Sequence, residues 1–239
     1  MSNLGPILVK TYDPADHPSL SEINRSEVMR YGGMMTSRSP VPLAVSEDDD
    51  MAAVDALIDE CISEALPLIT YKVCYRYTDV TWDGDQPVLP FDTYGSKNLA
   101  HVMRDCTEAV MFAATIGVGI DRLIAKYNRI SPSKALIMQA LGAERVEALC
   151  DLFNAEVAAE AGGVAPVAGT ADSAGADASG TMSLRPRFSP GYGDLPLAVQ
   201  REFMALLDCA HLIGINLNES LLMSPSKSVT AIIGIYPSH

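Results

Sequence analysis

Residues able to do chemistry concentrate in positions 184–197, where two arginines, three prolines, two glycines and a tyrosine fall within fourteen residues. Arg187 carries a planar fork of N–H donors that suits a carboxylate or a phosphate. Tyr192 adds a flat face with a hydroxyl at its edge. Between them, Ser189-Pro190-Gly191-Tyr192 has the signature of a type II turn, in which Pro190 presets φ and Gly191 accepts φ > 0. A turn of this kind fixes where its flanking side chains point. Two uses remain open: a recognition surface for an anionic group, or a surface turn whose arginine pairs with a nearby carboxylate.

Other candidate groups are sparser. Gly117-Val118-Gly119 follows an apolar run and precedes a helical pattern, the order of a phosphate-cradling loop, but Arg122 stands where the third glycine of G-x-G-x-x-G belongs. The alternative is a tight strand-to-helix turn that lets two elements approach closely. Glu144 and Glu147 lie three apart and neighbour each other on the helix surface, where simple solvation accounts for either. The four histidines and five cysteines form no metal-ligand spacing and no C-x-x-C pair, so neither a protein-built metal site nor a disulfide framework is expected. No catalytic acid, base or nucleophile arrangement stands out.

Charge narrows the partners. A net charge of −13 over 239 residues disfavours nucleic acid, whose binding needs clustered Lys and Arg. A cationic or zwitterionic ligand is easier to accommodate. Positions 109–120 form the longest apolar run, too short and glycine-broken to span a bilayer, and the first residues lack a signal pattern. A soluble, cytoplasmic protein without a membrane partner is the expectation.

The elements that must position these groups follow from periodicity. Positions 6–10 suit a short strand and 23–32 a brief helix stopped by Gly32, before a loop over 33–46. Asp50 is placed to cap a helix with Val54, Leu57, Ile58, Cys61, Ile62 and Ala65 on one face. Alternation over 71–82 puts Val73, Tyr75 and Tyr77 on one side of a strand, and Asp83-Gly84-Asp85 turns it into a hairpin with Val88-Leu89. A helix over 96–106, a strand over 109–116 buried on both faces and a helix over 120–127 come next. Ser131-Pro132 opens a long helix to about Ala161, with Ile137, Leu141, Val146, Leu149, Leu152, Phe153 and Val157 on its apolar side. Residues 162–181 are almost all Ala, Gly, Ser, Thr and Val, which implies a flexible low-complexity insertion. Asp194 or a neighbour then caps a helix carrying Val199, Phe203, Leu206, Leu207 and Ala210 and ending at Gly214. The C-terminus alternates Val229, Ala231, Ile233 and Ile235 as a strand inside a sheet. Strands and helices without a regular βαβ rhythm imply an α+β fold, a twisted and mainly antiparallel sheet flanked by helices. One domain over 1–239 is expected, with 1–70 as a small helical and extended lead-in and 71–239 as the α/β body.

Arg187-Phe188-Ser189-Pro190-Gly191-Tyr192, with Gly193-Asp194 and Gln200 after it, closely resembles the R-x-x-x-G-Y signature of the activation domain of cobalamin-dependent methionine synthase, and most of all its short free-standing relatives. Further segments match in the same order: Ile23-Asn24 with Glu27-Val28-Met29-Arg30-Tyr31, then Thr115-Ile116-Gly117-Val118-Gly119-Ile120-Asp121, then Ala140-Leu141-Gly142 through Glu147-Ala148-Leu149-Cys150. Asn218-Glu219-Ser220 and Met223-Ser224-Pro225 through Ser228-Val229 extend it. The resemblance covers roughly residues 20–235 outside the low-complexity stretch, and an ordered set is more specific than any single motif.

The resemblance implies S-adenosylmethionine binding and the rescue of a corrinoid that has slipped from Co(I) to Co(II). One electron comes from a flavodoxin- or ferredoxin-type reductant, and the S-adenosylmethionine methyl then traps the cobalt. Arg187 matches the family arginine that would hold the methionyl carboxylate, and Glu147 a glutamate at the ligand site, suited to its ammonium or sulfonium. Tyr192 matches a tyrosine facing the corrin, and Pro190-Gly191 is the turn that holds both side chains. Asn24 stands where the methionine synthase domain has an aspartate, and Ile233 and Gly234 replace an aromatic pair. No D-x-H-x-x-G corrinoid motif and no zinc cysteine set occur, so cobalamin would be carried by a partner, a corrinoid methyltransferase or methionine synthase core. The alternative is a non-catalytic module that docks on a corrinoid protein. A nucleotide-binding enzyme using Gly117 and Gly119 is a third.

Overall fold

Three long strands with a side-chain period of two decide the architecture, because each is largely buried on both faces and must be covered twice. The computed structural model describes residues 4–33, 47–162 and 182–237. In chain order the strands are β1 (Leu8–Tyr12), β2 (Tyr71–Asp79), β3 (Thr81–Asp83), β4 (Gln86–Val88), β5 (Glu108–Thr115), β6 (Met182–Leu184), β7 (Asn216–Leu217), β8 (Met223–Ser224) and β9 (Ser228–Pro237). The helices are α1 (Pro18–Ser21), α2 (Arg25–Tyr31), α3 (Glu47–Ala65), α4 (Lys97–Val102), α5 (Gly119–Ile130), α6 (Pro132–Glu160), α7 (Gln200–Leu206) and α8 (Cys209–Leu212). Five strands form one sheet in the order β1-β2-β5-β9-β6, with every neighbour antiparallel. The α+β expectation therefore holds.

One face of the sheet presents Tyr71, Val73, Tyr75, Val110, Phe112, Ala114, Ala231, Ile233 and Ile235 to α2, α3, α5 and α6. The opposite face presents Cys74, Ala109, Met111, Ala113 and Ile232 to α4, α7, α8 and the loops around them. Helix α6 is buried around most of its first twenty residues, since it lies between the sheet and the outer helices, and a helix enclosed in this way loses the polar stripe of a surface helix. Strand β1, from the first seventy residues, supplies one edge of the sheet.

Several expected boundaries shift. The strand predicted over 71–82 ends at Asp79, where its partner β5 begins at Glu108 and the ladder runs out. The hairpin is a separate pair, β3 with β4, turning at Gly84-Asp85. The first strand is Leu8–Tyr12, two residues later than expected. Helix α3 starts at Glu47, so Asp50 lies inside it and does not cap it. The predicted 96–106 helix stops at Val102, because the chain must reverse before β5, and Asp105 does so with φ 64°. The predicted helix after Asp194 is two, α7 and α8, separated at Asp208 with φ 47°. That break turns Cys209 into the core and leaves Ala210 exposed. Asp194 caps a different helix, its carboxylate accepting the N–H groups of Lys97 and Asn98 at 2.8 and 3.2 Å at the start of α4. The loop expected over 33–46 and the insertion expected over 162–181 lie outside the described residues, apart from Gly33 and Gly162 at their edges.

Candidate functional site

The segment 185–188 continues the sheet past β6. Arg185 N–H donates to Gly234 O at 2.8 Å, and Phe188 exchanges two bonds with Ile232 at 3.0 and 2.9 Å. Extended backbone sends successive side chains to opposite faces. Phe188 enters the core shared with α4 and α7, and Arg187 turns the other way, toward α6. There the i, i+4 spacing puts Glu147 and Asp151 on one helix face. Arg187 Nη1 donates to Asp151 Oδ1 at 2.7 Å and Nη2 donates to Glu147 Oε2 at 3.0 Å. Its side chain is only 18% exposed. Cys150 is fully buried in the same turn of α6, and burial pushes its thiol far above the ordinary cysteine value.

The opposite wall is the N-terminal segment, and a charged pair holds it. Arg145 and Glu144 are both buried in α6 and hydrogen-bonded to each other through two guanidinium nitrogens. Arg145 also donates to Leu20 O at 3.0 Å and Glu22 O at 2.8 Å, while Glu144 Oε1 accepts Asn24 N–H at 3.1 Å. Residues 20–24 are thereby tied to α6, and α2 starts from that anchor. Asn24 caps α2: its side-chain oxygen accepts Glu27 N–H at 3.3 Å and the Ser26 hydroxyl at 2.7 Å. Its side-chain nitrogen Nδ2 has no hydrogen-bond partner among the described residues.

Between these walls lies a cleft of about 980 Å³ lined by Asn24, Tyr31, Glu147, Asp151 and Arg187, among others. It carries five carboxylates (Glu22, Glu27, Glu144, Glu147, Asp151) and three guanidiniums (Arg30, Arg145, Arg187), an excess of two negative charges. Arg30 stacks over the Tyr31 ring, 4.3 Å from its centroid. Burial, followed by the negative field of Glu147, raises the Tyr31 phenol above its ordinary value.

Of the residues singled out from the sequence, Asn24, Glu147 and Arg187 meet in this cleft although 163 positions separate the first from the last. Pro190, Gly191 and Tyr192 do not line it. They form the type II turn, with Tyr192 N–H donating to Ser189 O at 3.1 Å and Gly191 at φ 85°. Tyr192 stands 70% exposed beyond it, edge-on to Phe188 at 5.8 Å. Ile233 is fully buried against the helix layer. A side chain at 234 would begin 2.5 Å from Cys106 Sγ. Neither position reaches the cleft.

The sequence reading missed Asp151, Tyr31 and the buried Glu144–Arg145 pair. Glu144, expected on the helix surface, is a buried structural anion. The spacing 147/151 on α6 was legible, but nothing local pointed it at residue 187. Gly117 and Gly119 serve close packing: a Cβ at 117 would lie 2.3 Å from Thr70 Oγ1, and one at 119 would lie 2.2 Å from Leu68 O. That space is filled by chain. The five cysteines are free and buried, and Cys74 and Cys209 bring their sulfurs to 3.7 Å. Among the described residues no cluster of three or more His, Cys, Asp or Glu is arranged to hold a metal, and no helix is long and apolar enough to cross a membrane.

A comparison with curated proteins finds no match. Among solved structures, the MetH reactivation domain bound to AdoHcy is similar, with a TM-score of 0.65 at 13% identity, covering 98% of this chain and 79% of that one. At that identity the likeness is one of fold. The family described as the vitamin B12 dependent methionine synthase activation domain matches residues 100–239, more than half the chain and the part that holds α6, the Arg187 strand and β9. This chain belongs to the activation-domain family of vitamin B12-dependent methionine synthase.

Proposed function

We propose that this chain binds S-adenosylmethionine in the Arg187 cleft and supports reductive methylation of a corrinoid carried by a separate methionine synthase or corrinoid methyltransferase. The observation that carries this is the meeting of Arg187, Glu147 and Asn24 in one cleft of an activation-domain fold. Charge fits as well. S-adenosylmethionine has a sulfonium, an ammonium and one carboxylate, a net charge of +1, against two excess negative charges in the cleft. The MetH reactivation domain holds AdoHcy, the same molecule without its methyl group.

The sulfonium supplies the methyl group, so this chain's part is binding and orientation. Arg187 would take the ligand carboxylate, and Glu147 would face the cationic end. Tyr31 offers the cleft a flat face for the purine. The Asn24 amide nitrogen donates, so it suits a ligand oxygen and not an ammonium, a change from the family's aspartate. Tyr192, outside the cleft and exposed, is free to meet the corrin of the partner. The electron would come from a small reductant protein of the flavodoxin or ferredoxin type.

Calorimetry tests the ligand. The wild-type protein should bind S-adenosylmethionine, and Arg187→Ala, which removes a charge-assisted bond of about 1.5 to 3 kcal/mol, should weaken it about 10- to 150-fold. Catalysis is tested by adding a cob(II)alamin-loaded partner and a reductant and watching for the methylated corrinoid spectrum. One observation favours the non-catalytic docking module instead: both terminal nitrogens of Arg187 are already occupied by protein carboxylates. No heat from the wild type at millimolar ligand would decide for that reading.

A further inference from the structure

The geometry points to Asp151 as a placeholder carboxylate, which occupies the Arg187 fork when no ligand is bound, shields it from simple anions, and gives way to a zwitterionic ligand. This rests on the reading of the cleft as an S-adenosylmethionine site. A carboxylate held bidentately needs two parallel N–H groups from the fork. Arg187 has committed its two terminal nitrogens separately, Nη1 to Asp151 at 2.7 Å and Nη2 to Glu147 at 3.0 Å. The backbone bonds on either side of Arg187 fix its Cα against β9. A guanidinium has five N–H groups, but a ligand carboxylate that takes both terminal nitrogens end-on shares Nη1 with Asp151 and Nη2 with Glu147, and in that mode one protein carboxylate gives way.

Asp151 is the one suited to leave. Its side chain is 53% exposed, against 43% for Glu147; neither has another hydrogen bond or ion pair among the described residues, and Glu147 is the one assigned to the ligand's cationic end. Once released it is solvated at little cost. Its oxygen at Nη1 stands in for one oxygen of the incoming carboxylate.

Selectivity follows from the same arrangement. A lone anion approaching Arg187 meets two fixed negative charges and offers nothing to compensate the one it displaces. A ligand that brings a cation with its carboxylate neutralises the released charge within the same cleft. Asp151 thus lowers affinity for every carboxylate, and most for those without a cation.

The test compares wild type with Asp151→Asn, an isosteric change at a half-exposed position. The Asp151 end of the pair is half-exposed and such a carboxylate is released at little net cost, so the variant should bind S-adenosylmethionine about two- to fivefold tighter. Acetate, without effect on the wild type, should become a competitor. A second readout needs no S-adenosylmethionine: phenylglyoxal labelling of Arg187 in the ligand-free protein, followed by peptide mass spectrometry, should be faster in Asp151→Asn. Equal or weaker binding by the variant, or unchanged labelling, would overturn the placeholder role. If labelling accelerates while neither protein binds S-adenosylmethionine, the placeholder stands and the proposed ligand falls.

Discussion

Replacing Arg145 by methionine should destabilise the protein by about 3 to 5 kcal/mol, the cost of leaving one member of a buried ion pair without its partner. Arg145 is 1% exposed and Glu144 nearly as buried. After the substitution Glu144 keeps one bond, from Asn24 N–H at 3.1 Å, the carbonyl of Glu22 loses its Arg145 donor, and that of Leu20 keeps only the Tyr71 hydroxyl at 3.2 Å. Methionine fills most of the volume, so the loss is electrostatic and not a cavity. Urea unfolding at 25 °C measures it. With a slope of roughly 2 kcal/mol/M the midpoint should fall by about 2 M, with the slope unchanged. The double variant Glu144→Leu, Arg145→Met removes the stranded charge and should recover part of the loss. A single-variant cost under about 1 kcal/mol, or a double variant no more stable than the single, would refute the argument that this pair holds the cleft wall.

Gly119→Ala should lower stability by about 1 to 3 kcal/mol, the usual cost of overpacking, because the new Cβ would sit 2.2 Å from a backbone oxygen. Differential scanning calorimetry would show this as a lower melting temperature. The five cysteines should be silent to Ellman's reagent in the native protein and all react after unfolding in urea, since each is buried and burial pushes Cys61 and Cys106 up to about 11. The Ser96 hydroxyl, with the Lys97 and Asn98 amides, holds the Asp194 carboxyl below its ordinary value of 3.8. A depressed pKa contributes stability that is full above that value and lost as pH falls through the folded one. Asp194→Asn should therefore lower the melting temperature near neutrality and flatten the acid limb of the profile below about pH 4, where the variant and the wild type converge.

The helices and strands whose side chains obey one period were legible. Strand β5 fell within one residue of expectation and α6 within one at its C-terminus, because an apolar run stopped by a glycine and a proline-opened helix carry their own boundaries. The two faces of β2 and β9 also followed from alternation. What failed was set by partners remote in sequence. Strand β2 stops where β5 begins, and Asp194 caps a helix nearly a hundred residues earlier. The break at Asp208 answers to the packing of Cys209 against Cys74.

The same division runs through the site. Sequence by itself determined the turn at Pro190-Gly191, the donor fork at Arg187 and the resemblance that tied them to Glu147 and Asn24, because turn chemistry and ordered motifs are local. Only the tertiary structure decided that Arg187 faces α6 while Tyr192 faces solvent, that Glu144 is an anchor, and that Asp151 shares the fork. Those outcomes depend on strand pairing and helix placement, which bring charges together across distances that no window of sequence spans.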